Sequence, residues 1–308
     1  MSSLEIDALN RRFGIPNHLH FAAGPNEFVL AEISNFHARA TLCLQGAQVL
    51  AFAPINHDPV LYLSQAARYT AGKSVRGGIP VCWPWFGPHA IDAQKPAHGF
   101  ARSSLWRVIE TSALNDGATR VVLELAPVPE HRMLWPHEAR VQLHVSIGPV
   151  LTVELVTHNE STQPLQISEA LHTYFQVSDI ESVSVTGLEG CTYVDKVTGG
   201  TPAMQRQALS FHGETDRVYL NTTAECVIHD PGLRRRIHVA KTGSRSTVIW
   251  NPWSEKALKL GDLGDTGFRS MLCVETANAL DNLVSIASGA EHRLTTIISV
   301  ERDDATDL

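Results

Sequence analysis

Residues 139–158 read "ARVQLHVSI", Gly148-Pro149, "VLTVELVTH". Apolar and polar residues alternate through both arms, and the Gly-Pro pair separates them. A period of two marks a strand with one buried face, because successive side chains point to opposite sides of a sheet. Two such runs, about nine residues each, joined at a turn signal predict a long antiparallel hairpin. The alternation implies sheets packed on one face and partly solvated on the other.

Strand signals fill the rest of the chain. They include "FVLAEI", "ARATLCL", "QVLAFA", "TRVVLELA", "STVIW", "SMLCVET", "LVSIAS" and "HRLTTIISV". "ECVIHD", Pro231-Gly232 and "RRRIHVA" predict a second hairpin. Helical periodicity is confined to residues 3–12, with Ser2 or Ser3 as cap, and to one or two turns near 254–263. No repeat, Ser/Gly linker or charge block divides the chain. The expectation is one all-β domain over 1–308, a large antiparallel β-sandwich with a few short helices, whose first 26 residues stay poorly assigned.

Composition narrows the function. The 308 residues carry 44% hydrophobic side chains, enough for a sizeable core. The net charge of -7 argues against general nucleic-acid binding, though a local anion site needs only two or three placed cations. Five cysteines without a CxxC pair fit reduced thiols, hence a cytoplasmic chain. No signal peptide or membrane-length apolar run is read in the sequence. HExxH, GxGxxG, Walker and GxSxG motifs are absent, so no metal and no cofactor is expected. Arg234, Arg235 and Arg236 read either as an anion patch or as a charged hairpin arm that resists edge pairing; the second is preferred.

Three ionisable residues stand in strand-like runs: His172 in "SEALHTYFQV", Glu275 in "SMLCVETAN" and Asp216 in "ETDRVYLN". Singly, each has a plain reading: a satisfied core histidine, a solvent-facing strand glutamate, a strand-end aspartate. Together they suggest acid/base chemistry, since an imidazole and a partly desolvated carboxylate both titrate near neutral pH. Residues 74–102, "SVRGGIPVCWPWFGPHAIDAQKPAHGFAR", add Arg76, Arg102 and two tryptophans. Aromatic rings beside polar groups suit sugars, and the planar arginine fork suits phosphate. Gly77-Gly78 allows close backbone approach to a ligand. Trp83 and Trp85 are read as packing residues.

"RGGIPVCWPWFGPH", "HGFAR", "EALHTYF", "WNPW" and "MLCVETAN", in that order, resemble the hexose-6-phosphate mutarotases, or glucose-6-phosphate 1-epimerases, relatives of the aldose 1-epimerases. The likeness runs from about residue 27 to 300. It implies a galactose-mutarotase-type supersandwich and cofactor-free interconversion of sugar anomers. It implies Glu275 as general base and His172 as general acid, Arg76 and Arg102 on phosphate, and Asp216 and His98 on the sugar. At Ala97 some family members carry a polar contact instead. The expected partner is a small sugar phosphate, with no nucleic acid and no membrane, and the chain is expected to be a monomer. Competing readings are a non-catalytic carbohydrate-binding module, a mutarotase of unphosphorylated aldoses, and a glycosidase using Asp216 and Glu275.

Overall fold

The structure, a computed structural model, describes residues 3–303. The expected hairpin is present: Ala139–Ile147 pairs with Leu151–Asn159, Leu143 opposite Leu155 and Val145 opposite Val153. Its alternate residues Val141, Leu143, Val145, Leu151, Val153 and Leu155 are buried. Each such side chain contributes roughly 1.5–3 kcal/mol when taken from water.

The hairpin lies inside a nine-stranded sheet that runs from Leu209–Ser210 to Trp106–Ala113. An eight-stranded sheet contains Thr215–Tyr219, Ser246–Asn251, Met271–Asn278 and Glu169–Leu171 as successive neighbours. Their pairings are antiparallel. A four-stranded sheet precedes both, and one apolar cluster draws Leu42 and Phe52 from it, Phe175 and Val274 from the eight-stranded sheet, and Leu143 and Ile298 from the nine-stranded one. The all-β expectation therefore holds.

The N-terminal segment is built into this core. Helix Ser3–Phe13 is followed by strand Leu19–Ala23, which pairs with Val29–Ser34. Asn10 ties them, its side-chain amide donating to Phe21 O and its carbonyl accepting from Phe21 N–H. The Ser2 cap falls outside the described residues. Helix Trp253–Leu260 occupies the expected place, while Pro129–Leu134 is a short helix that the sequence reading did not find.

The arginine triplet needs correction. Strand Arg235–Thr242 pairs with Cys226–Asp230 on one side and Glu291–Arg302 on the other, so it guards no edge. Arg235 is buried and donates to Asp58 O, Pro59 O and Gln176 O. Arg236 pairs with Glu301 and Asp303. Arg235→Met is expected to cost about 3 kcal/mol, because it strands three carbonyls and removes the cation 4.0 Å from the buried Asp230; urea unfolding at neutral pH reads the loss.

A second buried carboxylate sits at Glu169, whose Oε1 lies 3.2 Å from His292 Nε2. Burial raises its pKa, and His292 opposes the rise only in part. A raised native pKa favours folding below the unfolded value and loses that contribution as pH rises through the native value. Glu169→Gln should therefore gain stability over wild type as pH climbs from about 4, the unfolded range. Melting temperatures across pH 4–8 check this; a pH-independent difference would refute it.

Candidate active site

The strand Met271–Asn278 is buried along its whole length. Leu171 pairs with Thr276 and Tyr174 with Cys273. That constant register places His172 directly opposite Glu275. The ladder is interrupted there, and His172 N–H donates instead to Pro80 O at 3.0 Å. On the other side, Trp250 pairs with both Cys273 and Asp216. Cross-strand partners share a face, and residues two apart do too. One face of the sheet thus carries Asp216, Trp250, Cys273, Glu275, His172 and Tyr174.

His172 Nδ1 lies 3.4 Å from Glu275 Oε1. The imidazole stacks on Tyr174, with centroids 4.9 Å apart and planes 10° off parallel, and meets Trp250 edge-on at 5.9 Å. Burial pushes the Glu275 carboxyl well above the usual carboxylate range, and Asp216 adds to the rise. Burial likewise pulls His172 well below the ordinary imidazole range, helped by His98, Arg102 and Arg76. Both effects act in one direction: each disfavours the charged form of its own group.

His98 stands 5.8 Å from His172 between ring centroids. Burial first, then Arg102, Lys196 and Arg76, lower its pKa to about 3. Its Nδ1 accepts from Gly87 N–H, so Nε2 carries the proton and can donate to a hydroxyl. Asp216 Oδ1 lies 3.9 Å from Lys196 Nζ, and Lys196 in turn stands 5.5 Å over the Phe86 ring.

Arg76 and Arg102 line one cleft of about 250 Å³, with Lys73, Ser74, Ser103 and Tyr174. Arg76 is already engaged: Nε and Nη2 donate to Asp262, and Nη1 donates to Tyr174 Oη at 3.0 Å. Arg102 donates only to Ala97 O among the described residues, and Lys73 makes no ion pair within 4.0 Å there. Three cations against one carboxylate leave the cleft with two positive charges, matched to a dianion. A roomier pocket of about 370 Å³ lies behind the Trp83–Phe100 wall. Its Arg132 and Arg140 are paired with Glu138 and Glu160, whereas the smaller cleft reaches the His172–Glu275 pair through Tyr174, which lines it and stacks on His172.

The structure thus gathers all six residues singled out in the sequence around one face. It corrects the glycines. A Cβ on Gly77 would meet Tyr62 O at 2.4 Å, and one on Gly78 would meet Val49 O at 2.1 Å. Both glycines thus already serve a close approach to neighbouring backbone. Trp83 and Trp85 are buried and donate to Thr157 and Pro96 O, as packing residues do. Lys73, Lys196 and Asp262 went unread in the sequence.

His172, Cys273 and Glu275 also bring one donor atom each within 4.8 Å of one another. Burial holds the Cys273 thiol well above its ordinary range, hence protonated, and Arg76, Arg102 and Lys196 add positive charge nearby.

The aldose 1-epimerase family model matches residues 30–299. The chain belongs to the aldose 1-epimerase family. An Escherichia coli K12 protein named as a candidate glucose-6-phosphate 1-epimerase is 37% identical over 255 residues, covering 82% of this chain and 84% of its own. A Cenchrus ciliaris protein of the same name is 36% identical over 263 residues, covering 82% and 79%. The crystal structure of a candidate mutarotase from Salmonella typhimurium superposes with a TM-score of 0.87 at 32% identity, over 94% of this chain and 95% of that one. A galactose mutarotase-like protein from Lactobacillus casei shares the fold, with a TM-score of 0.68 at 15% identity over 88% and 100%. Every site residue named above lies inside the aldose 1-epimerase match, whereas helix Ser3–Phe13 and strand Leu19–Ala23 precede it.

Proposed function

We propose that this epimerase interconverts the α and β anomers of a hexose 6-phosphate, with D-glucose 6-phosphate the first substrate to test. The observation that supports this reading is the placement of His172 opposite Glu275, with the cation cleft of Arg76 and Arg102 alongside. Glu275 takes the proton of the anomeric hydroxyl, and His172 gives one to the ring oxygen. The ring opens to the aldehyde, rotation presents its other face, and closure returns both protons. Each group contributes on the order of 10²–10⁴-fold. Arg76 and Arg102 hold the phosphate while the reacting end turns, which is remote binding used for orientation. Asp216 accepts from sugar hydroxyls, and His98 Nε2–H donates to one.

The cleft's charge favours a phosphorylated sugar over a free one, since two unmatched cations stay idle against glucose. No step requires a cofactor. We read the chain as one catalytic domain, a monomer of the cytoplasm; its five cysteines are free thiols, which fits a reducing compartment. Among the described residues no helix is long and apolar enough to cross a membrane. Saturation-transfer NMR of anomer exchange, run on each hexose 6-phosphate and its unphosphorylated partner, tests the assignment. Exchange no faster than without protein for every sugar phosphate would overturn it.

A further inference from the structure

We propose that the anion cleft is an electrostatic switch for the acid/base pair, so that inorganic phosphate bound there makes the protein turn over an unphosphorylated hexose. The inference rests on the function proposed above. Its geometry is a short relay. Arg76 lines the cleft and donates through Nη1 to Tyr174 Oη at 3.0 Å, and the Tyr174 ring stacks on His172 at 4.9 Å. Arg102 lines the same cleft.

The charged and titratable groups around the pair define the balance. Arg76 and Arg102 disfavour an imidazolium at His172. Asp216 disfavours a carboxylate at Glu275, while Lys196 and Arg102 favour it. Cys273 and Tyr174 stay protonated through burial. Together with burial, these charges favour the carboxyl at Glu275 and the neutral imidazole at His172. In that form the roles assigned above cannot begin, because a carboxyl cannot take the anomeric proton and a neutral imidazole gives one up only by becoming an imidazolate.

A dianion in the cleft adds negative charge beside the arginines that oppose the imidazolium. The proton then crosses from Glu275 Oε1 to His172 Nδ1, 3.4 Å away. The carboxyl loses one proton, the imidazole gains it, and the net charge of the pair stays zero. A sugar phosphate carries this activator on its own sixth carbon. A free hexose lacks it, and inorganic phosphate supplies it in trans.

The test is saturation-transfer NMR of glucose anomer exchange with wild-type protein. Inorganic phosphate is compared with chloride at equal ionic strength, and the exchange of each buffer without protein is subtracted, since phosphate itself promotes mutarotation. Phosphate is expected to raise the protein-dependent rate about tenfold or more, the change in imidazolium fraction for one pKa unit. With glucose 6-phosphate as substrate the same ion should inhibit by competition. Arg102→Gln should abolish the activation; this side chain bonds only to Ala97 O among the described residues, so its loss spares the fold. Rapid turnover of glucose 6-phosphate with no phosphate activation of glucose overturns the switch and leaves the proposed function standing. Absence of glucose 6-phosphate turnover overturns both.

Discussion

Glu275→Gln is expected to lower kcat for hexose 6-phosphate anomer exchange by about 10²–10⁴-fold. The amide keeps the shape of the carboxyl, so the buried strand is preserved, yet it cannot take the anomeric proton. Substrate affinity should change little, because the phosphate end carries the binding. Exchange spectroscopy gives the rate and calorimetry with glucose 6-phosphate gives the affinity. A wild-type rate would remove Glu275 from the chemistry; a lost affinity with normal kcat would make it a binding residue. The neutral amide also ends the sharing of a proton with His172, so the pH dependence of the residual rate should flatten.

Replacing Arg76 and Arg102 together by alanine is expected to raise KM for glucose 6-phosphate by at least about a hundredfold, from roughly 1.5–3 kcal/mol for each charge-assisted contact. KM for glucose should move far less. Arg102→Ala alone is the cleaner variant. Removing Arg76 frees the Asp262 carboxylate, which then repels the phosphate, so its effect combines a lost attraction with a new repulsion. Equal changes for both sugars would sink the phosphate assignment.

The sequence signals divide by physical range. Alternation in residues 139–158 announced the hairpin, because a strand's period is written in its own residues. His172 and Glu275 could be singled out since ionisable groups in apolar runs are costly. Their register was not legible: it is set by Leu171 meeting Thr276 and Tyr174 meeting Cys273, far apart in the chain. Asp262 was hidden for the same reason, standing after a helix and reading as a loop residue until Arg76 is placed beside it. The glycine pair misled because permissive backbone serves any close approach, and here Tyr62 and Val49 are what come close. Arg235 misled because charge on a hairpin arm usually means solvent, whereas this guanidinium satisfies three buried carbonyls.

The break in the ladder at His172 has a consequence for engineering. The main chain of His172 and Tyr174 hangs on Pro80 O and Gly78 O, so the segment that carries Arg76 also aims the His172 imidazole. Recognition and reactivity are therefore not interchangeable modules. Grafting residues 74–102 from a relative with another sugar preference would re-aim the imidazole together with the guanidinium. A new specificity here calls for exchanging both strips of chain at once.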